Sequence, residues 1–253
     1  MDTERKIVFV GEEDVGKTTL INVVLGREVL PPKFYKHRYM ESCLAEIRYG
    51  NPQRGMVHFN TPDMEPAEFP LEELADRMES LDPEQVEKIQ VFLTDPRLAN
   101  GIVLVDTPGY EYEYTGDGWM EESAWQALEQ ADQVMVVLDG ENLDFEEWMA
   151  GDDLEDDGLN FYKESKFLEH CLKKYQKDNV YFVINYKDYI GFNYAYQMVN
   201  HLTKHGEDGF LCMNALHALK VAAGIPTTPL TEDTEVPQMK RLMAVLFGGI
   251  SDD

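Results

Sequence analysis

The sequence predicts an α/β fold: a doubly wound, mostly parallel sheet with helices on both faces, built as one domain over residues 1–253. Three observations predict it. Apolar runs of strand length alternate with helical patterns along the chain, an order that favours parallel pairing through crossover helices. A glycine-bracketed loop, GEEDVGKT at 11–18, joins the first apolar run to the first helix. The other polar motifs also directly follow strands. They therefore fall at one carboxyl edge of the sheet, where such folds place ligands.

The elements follow in order. Ile7–Val10 reads as a buried strand, and Lys17–Gly26 as a helix closed by its glycine. Leu30-Pro31-Pro32 stops any continuation, and 33–41 reads as a loop. Ser42–Tyr49 alternates as a strand. Gly50-Asn51-Pro52 marks a turn, with Met56–Asn60 as the hairpin partner. The proline-punctuated stretch 61–70 reads as irregular. Leu71–Met78 and Pro83–Lys88 read as short helices, with Ser80 and Asp82 as caps. Strands follow at Ile89–Leu93 and Ile102–Val105, then a helix at Trp119–Gln130 and a strand at Gln133–Leu138. An acidic loop at 151–158 precedes a helix over 159–176, the strand Val180–Ile184 and a helix over 193–204. Phe210–Met213 is the last strand and Asn214–Ala223 a helix. Residues 226–237 resemble a linker before a final amphipathic helix, Gln238–Phe247, suited either to a stalk junction or to packing on the sheet.

Composition narrows the function. A formal net charge of −26, from 48 acidic and 22 basic side chains, repels nucleic-acid phosphates and anionic headgroups. Nucleic acid is therefore not an expected partner, and membrane contact is expected only indirectly or through other regions. Lys33, Lys36, His37 and Arg38 form the one obvious basic cluster. The three cysteines, Cys43, Cys171 and Cys212, lie far apart and read as buried thiols of a reducing compartment. The chain enters its first strand almost at once, and no apolar run approaches the roughly 18 residues of a spanning helix. A cytoplasmic location is the expectation.

The loop at 11–18 fits G-x-x-x-x-G-K-[ST] in full. Phosphate oxygens need several N–H donors converging from one side, and a helix beginning near Gly16 adds its positive end. Gly11, Asp14, Val15, Gly16, Lys17, Thr18 and Thr19 would line this site. Lys17 would reach the outer phosphates, and Thr18 would ligate Mg²⁺. The motif DTPG at 106–109 follows Ile102–Val105. Asp106 there would hold Mg²⁺, usually through water, and the Gly109 amide would meet a terminal phosphate. The motif NYKD at 185–188 follows Val180–Ile184. A carboxylate at Asp188 can accept both the ring N–H and the amino group of guanine, a pair adenine cannot offer. Asn185 and Lys187 flank that contact.

The order GxxxxGKT, DTPG, N-x-x-D is that of translation-factor-class GTPases. Within them the chain resembles the GTPase domain of bacterial dynamin-like proteins. GEEDVGKTTLINVVLGREVLP is similar to their extended phosphate loop. VEKIQVFLTDPRLANGIVLVDTPGY is similar to their paired strands before DTPG, and FLCMNALHAL to the strand, turn and helix that carry the last guanine-contacting loop. The likeness spans about residues 5–223. It implies GTP and GDP as ligands, Mg²⁺ dependence, and slow hydrolysis stimulated by homodimerisation across the nucleotide face. In full-length relatives it implies membrane remodelling. By position it assigns Lys17, Thr18, Glu13 and Gly109 to catalysis and Asn214-Ala215 to the base.

The sequence also departs from the family. Tyr186 replaces a lysine whose stem packs on the base, so a stacked ring is the expectation there. Asn214 stands where relatives have serine. Relatives carry a Mg²⁺-binding threonine in the first switch, yet no Ser or Thr lies between Leu20 and Ser42. Glu13 and Asp14 put two carboxylates beside the expected triphosphate, and Tyr110 occupies a water-orienting position. A module that binds GTP or GDP with little or no hydrolysis is therefore the alternative. An ATPase would require Asp188 to be incidental.

Other patterns carry less. Residues 153–164 fit calcium-loop spacing at Asp153, Glu155, Asp157, Gly158 and Glu164. A glutamate at the third position and Asn160 at the eighth fit a solvated acidic loop better. Trp119, Trp125 and Trp148 read as core residues. YEYEY at 110–114 suits either a dimer contact or a flexible loop. His170, His201, His205 and His217 have no partners at catalytic spacing in the sequence.

Overall fold

The structure is a computed structural model that describes residues 4–30, 43–61, 63–82, 85–109, 122–140, 179–186, 210–229 and 235–248. Strand β1 (Arg5–Val10) leads through the glycine loop into helix α1 (Lys17–Leu25). β2 (Leu44–Tyr49), β3 (Arg54–Phe59) and β4 (Ala67–Pro70) follow, then α2 (Leu74–Glu79), β5 (Val86–Leu93) and β6 (Ile102–Asp106). After them come α3 (Glu122–Glu129), β7 (Gln133–Asp139), β8 (Val180–Asn185), β9 (Phe210–Met213), α4 (Ala215–Ala222) and α5 (Glu235–Phe247).

The described strands form one nine-stranded sheet in the order β4-β3-β5-β2-β6-β1-β7-β8-β9. From β6 to β9 every pairing is parallel. Side chains alternate between faces along a strand, and here both faces are apolar. Ile7 and Phe9 of β1 pack in one cluster with α1, α4 and α5, while Val8 and Val10 pack in another with Ala124 and Leu128 of α3. Helices therefore cover both faces, as the alternation of elements predicts. α1 ends on Gly26 at φ 71°, the left-handed closure expected of that glycine. Buried Asn22 then pins the following turn, accepting from the Val29 and Leu30 amides and donating to the Leu30 carbonyl.

The outer half differs from the sequence reading in four places. β2 and β3 are not hairpin partners, because β5 lies between them, parallel to β2 and antiparallel to β3. This insertion lines up Ala45, Ile89 and Val57 across three strands on the core face. The connecting chain steps over the end of β5, where the Gly50 amide donates to the Leu93 carbonyl at 2.9 Å. A Cβ on Gly50 would sit 2.6 Å from the Phe92 Cβ, so the turn residue also serves close passage. Second, residues 86–88 belong to β5 and not to a helix. Their Glu and Lys suggest a helix, but Val86, Ile89, Val91 and Leu93 are buried against neighbouring strands, and pairing overrides propensity. The Ser80 hydroxyl accordingly closes α2, donating to the Arg77 carbonyl, and does not start a second helix. Third, the stretch read as irregular contains β4, an edge strand that tolerates Pro70. β2 also separates β5 from β6, so the two strands before DTPG are not direct neighbours.

β2 carries a buried carboxylate, Glu46, which faces Arg48 at 2.8 Å, Lys88 at 3.8 Å, Lys6 at 3.9 Å and the Gln90 amide at 2.7 Å. Burial raises its pKa, but the Gln90 hydrogen bond and the three cations outweigh that and hold it below the ordinary carboxylate value. Glu46→Gln is expected to destabilise the fold by about 1–2 kcal/mol at neutral pH. A depressed carboxylate stabilises fully above the unfolded value of 4.5 and loses its contribution as pH falls through the folded value. The gap between wild type and variant in urea unfolding should therefore narrow as pH falls below 4.5 and close as it passes the lower folded value.

α5 packs back on the sheet. Leu242 and Leu246 are 0% exposed within the α1-side core. Arg5 donates to the Val245 and Leu246 carbonyls, and Phe247 lies over the Arg97 guanidinium. Arg97 also donates to the Val24 and Leu25 carbonyls of α1. Among the described residues no helix is long and apolar enough to cross a membrane. The Cys43 and Cys212 thiols are buried, and burial pushes each up to about 12.

Candidate functional site

The glycine loop sits where β1 leaves the sheet. Gly11 lies against the Val137 carbonyl of β7 with no room for a Cβ. Asp14 takes φ 62° and Gly16 φ 94°, two left-handed steps that curl the chain into α1. A Cβ on Gly16 would come within 2.5 Å of the Asn185 amide nitrogen, so glycine is needed there twice over. The first turn of α1 has no acidic residue and no side-chain cap, which leaves its positive end uncompensated. Lys17 is 5% exposed, and its ammonium donates to the Gly11 and Glu12 carbonyls at 3.0 and 2.7 Å. Val15 is buried beneath the loop, Thr19 is half-buried, and Glu13 and Asp14 are exposed.

DTPG closes on this loop from β6. The Thr18 hydroxyl donates to the Asp106 carboxylate at 2.6 Å, although the two residues are 88 apart in sequence. A hydroxyl and a carboxylate so placed are the hard oxygen donors that Mg²⁺ takes, with water and phosphate oxygens completing its shell. Among the described residues no three His, Cys, Asp or Glu side chains form a metal cage. Thr107 donates to the Phe9 carbonyl at 2.8 Å, tying the motif to β1. Gly109 lies against the phosphate loop, where a Cβ would fall 2.6 Å from the Glu13 Cα.

Asn185 joins the loop to the far side of the site. Its amide donates to the Val15 carbonyl at 2.8 Å, and its oxygen accepts from the Ala215 amide at 3.0 Å. Asn214 caps α4, its side-chain oxygen accepting from the His217 amide at 2.8 Å. The structure thus brings together Gly11, Gly16, Lys17, Thr18, Asp106, Gly109, Asn185 and Ala215. Lys187 and Asp188 lie outside the described residues. So do the first switch, Tyr110, the acidic loop at 153–164, Trp119, Trp148, Cys171, His170, His201, His205 and the Lys33–Arg38 cluster.

A family model for the dynamin family matches residues 7–148, more than half of the chain. The chain belongs to the dynamin family. Dynamin-like protein A of Bacillus subtilis is 28% identical over 189 residues, which cover 74% of this chain and 14% of that protein. Two solved chains of an oligomerised bacterial dynamin pair, described as sensing and tethering membranes over long range, share the fold. Their TM-scores are 0.62 and 0.60 at 16% and 17% identity, each covering 98% of this chain and 38% of the other. The dynamin-family chain therefore spans about a seventh of the curated relative and well under half of these solved chains.

Against the dynamin-like expectations, one residue takes a different role. Tyr186 was expected to stack on a base, but it is 5% exposed and packed among Phe182, Ile184 and Cys212. Its hydroxyl donates to Glu235 of α5 at 3.1 Å. Burial first, then Glu235, raises the phenol far above its ordinary pKa. The sequence reading also missed two carboxylates. Burial and the charge of Asp139 raise the Glu12 carboxyl, while Lys17 opposes them. The one available sequence signal was position, since Asp139 ends β7 at the same sheet edge as every other motif.

Proposed function

We propose that this dynamin-family chain is a guanine-nucleotide-binding, Mg²⁺-dependent GTPase domain. The Thr18–Asp106 contact carries the reading, because it joins the phosphate loop to the DTPG motif with donors suited to Mg²⁺. Backbone amides of residues 14–18 and Lys17 hold the phosphates. Thr18 and Asp106 hold the cation, which neutralises charge on the phosphate oxygens when bound. Gly109 senses the γ-phosphate from its seat beside Glu13, and Asn185, Lys187 and Asp188 select guanine, backed by Asn214 and Ala215. Glu13 faces the water that attacks in line, and catalysis is by positioning and charge stabilisation. Residues 1–253 act as one unit in this reading, with α5 as its last helix. Homodimerisation across the nucleotide face and peripheral membrane action in a longer protein follow by analogy with the oligomerised bacterial dynamins.

A second reading is favoured by a specific observation. Glu13 and Asp14 are exposed carboxylates on the phosphate loop, and residues 21–41 contain no Ser or Thr to complete a switch. The chain would then bind nucleotide and act through partners without turnover. Single-turnover hydrolysis of GTP with saturating protein and Mg²⁺, repeated across protein concentration, separates the two. The GTPase reading expects phosphate release that needs Mg²⁺ and accelerates with protein concentration. Bound GTP that persists intact at every concentration supports the second reading.

A further inference from the structure

We infer that Glu235, at the start of α5, is a positioning residue for the guanine pocket, so that base affinity depends on α5 remaining docked. Its carboxylate is 11% exposed and gathers three segments. One oxygen accepts from the Tyr186 hydroxyl at 3.1 Å and faces the His217 Nδ1 at 3.2 Å. The His217 Nε2 in turn lies 2.6 Å from the Thr228 carbonyl. Tyr186 directly follows Asn185 and stands two residues before Asp188. His217 stands three residues after Asn214, the cap of α4. Glu235 therefore ties the residue after Asn185 to the first turn of α4, the described ends of the two segments assigned to the base.

The pocket side shows the complementary links. Asn185 bridges Val15 and Ala215, and the Tyr186 amide donates to the Met213 carbonyl at 3.1 Å. The ends of β8 and β9 are thus tied to each other by backbone and Asn185, and to α5 by Glu235. A second link is Gln238, whose side-chain oxygen accepts from the Cys212 amide on β9, the edge strand of the described sheet. A carboxylate in the first turn of a helix is also favoured by the helix field. Displacing α5 would release Tyr186 and His217 together and let the two base-side segments move against the phosphate loop. The phosphate half of the site has its own anchors on β1 and β6.

This rests on the guanine-nucleotide reading. The test is calorimetric titration of the full chain with Mg²⁺–GDP and, separately, with Mg²⁺–pyrophosphate, for wild type, Tyr186→Phe, Glu235→Gln and the double variant. We expect each single variant to weaken GDP about fivefold to tenfold with pyrophosphate affinity unchanged. The double variant should lose much less affinity than the sum of the two single losses, because both changes act on one shared hydrogen bond. Hydrogen exchange supplies the second readout. GDP should slow exchange in the first turn of α5 in wild type, pyrophosphate should not, and Glu235→Gln should abolish the GDP effect. Unchanged GDP affinity in both variants, or equal losses for GDP and pyrophosphate, overturns the inference. Wild type that binds pyrophosphate but not GDP overturns the guanine reading and the inference with it.

Discussion

Lys17→Ala is expected to lower the affinity for GDP and GTP by about 100-fold or more. The Lys17 ammonium is buried and held by the Gly11 and Glu12 carbonyls, at the mouth of a loop whose amides lead into α1. Two neutral carbonyls are a weak resting place for a full charge compared with phosphate oxygens. Charge-assisted hydrogen bonds of this kind contribute roughly 2–3 kcal/mol, and no other basic side chain of the described residues occupies the loop. Glu12 sharpens the effect, because the change removes the positive charge that counters its carboxyl beside Asp139. The fold is expected to survive. Titration calorimetry with a parallel thermal melt checks both halves, and near wild-type affinity in a folded variant would remove Lys17 from the phosphate site.

Asn185→Ala is expected to act differently, destabilising the free protein by about 2–4 kcal/mol. Both ends of the Asn185 amide are used, on the Val15 carbonyl and the Ala215 amide. Alanine strands a buried acceptor and a buried donor, and each orphan costs about 1–3 kcal/mol. It also unties the phosphate loop from the β9–α4 connection, so GDP and pyrophosphate should both weaken. At a typical 2–4 °C per kcal/mol for a domain of this size, the melting temperature should drop by roughly 8 °C. A variant with unchanged melting temperature would mean that the bridge contributes nothing to the fold.

The two halves of the sheet differed in how far the sequence disclosed them. Ile7–Val10, Val103–Val105, Val134–Leu138 and Phe182–Ile184 are buried on both faces, so their runs are continuously apolar and read as central parallel strands. The β2–β3–β5 region was misread because its order depends on which strand crosses Gly50, and hairpin turn residues carry no information about an inserted third strand. The same contrast holds in the site. The meeting of Thr18 with Asp106 beside Lys17 was legible because the proposed phosphate and Mg²⁺ chemistry demands fixed residue types after a strand. Tyr186 was not, because its role is set by Glu235, 49 residues on. No local pattern announces a contact made only when α5 folds back.

The most direct test of the central claim is base selectivity. Wild type should bind GDP with Mg²⁺ at least about 100-fold more tightly than ADP, and Asp188→Asn should exchange that preference for xanthosine diphosphate. Equal affinity for GDP and ADP, or undiminished GDP affinity in Asp188→Asn, would contradict the account.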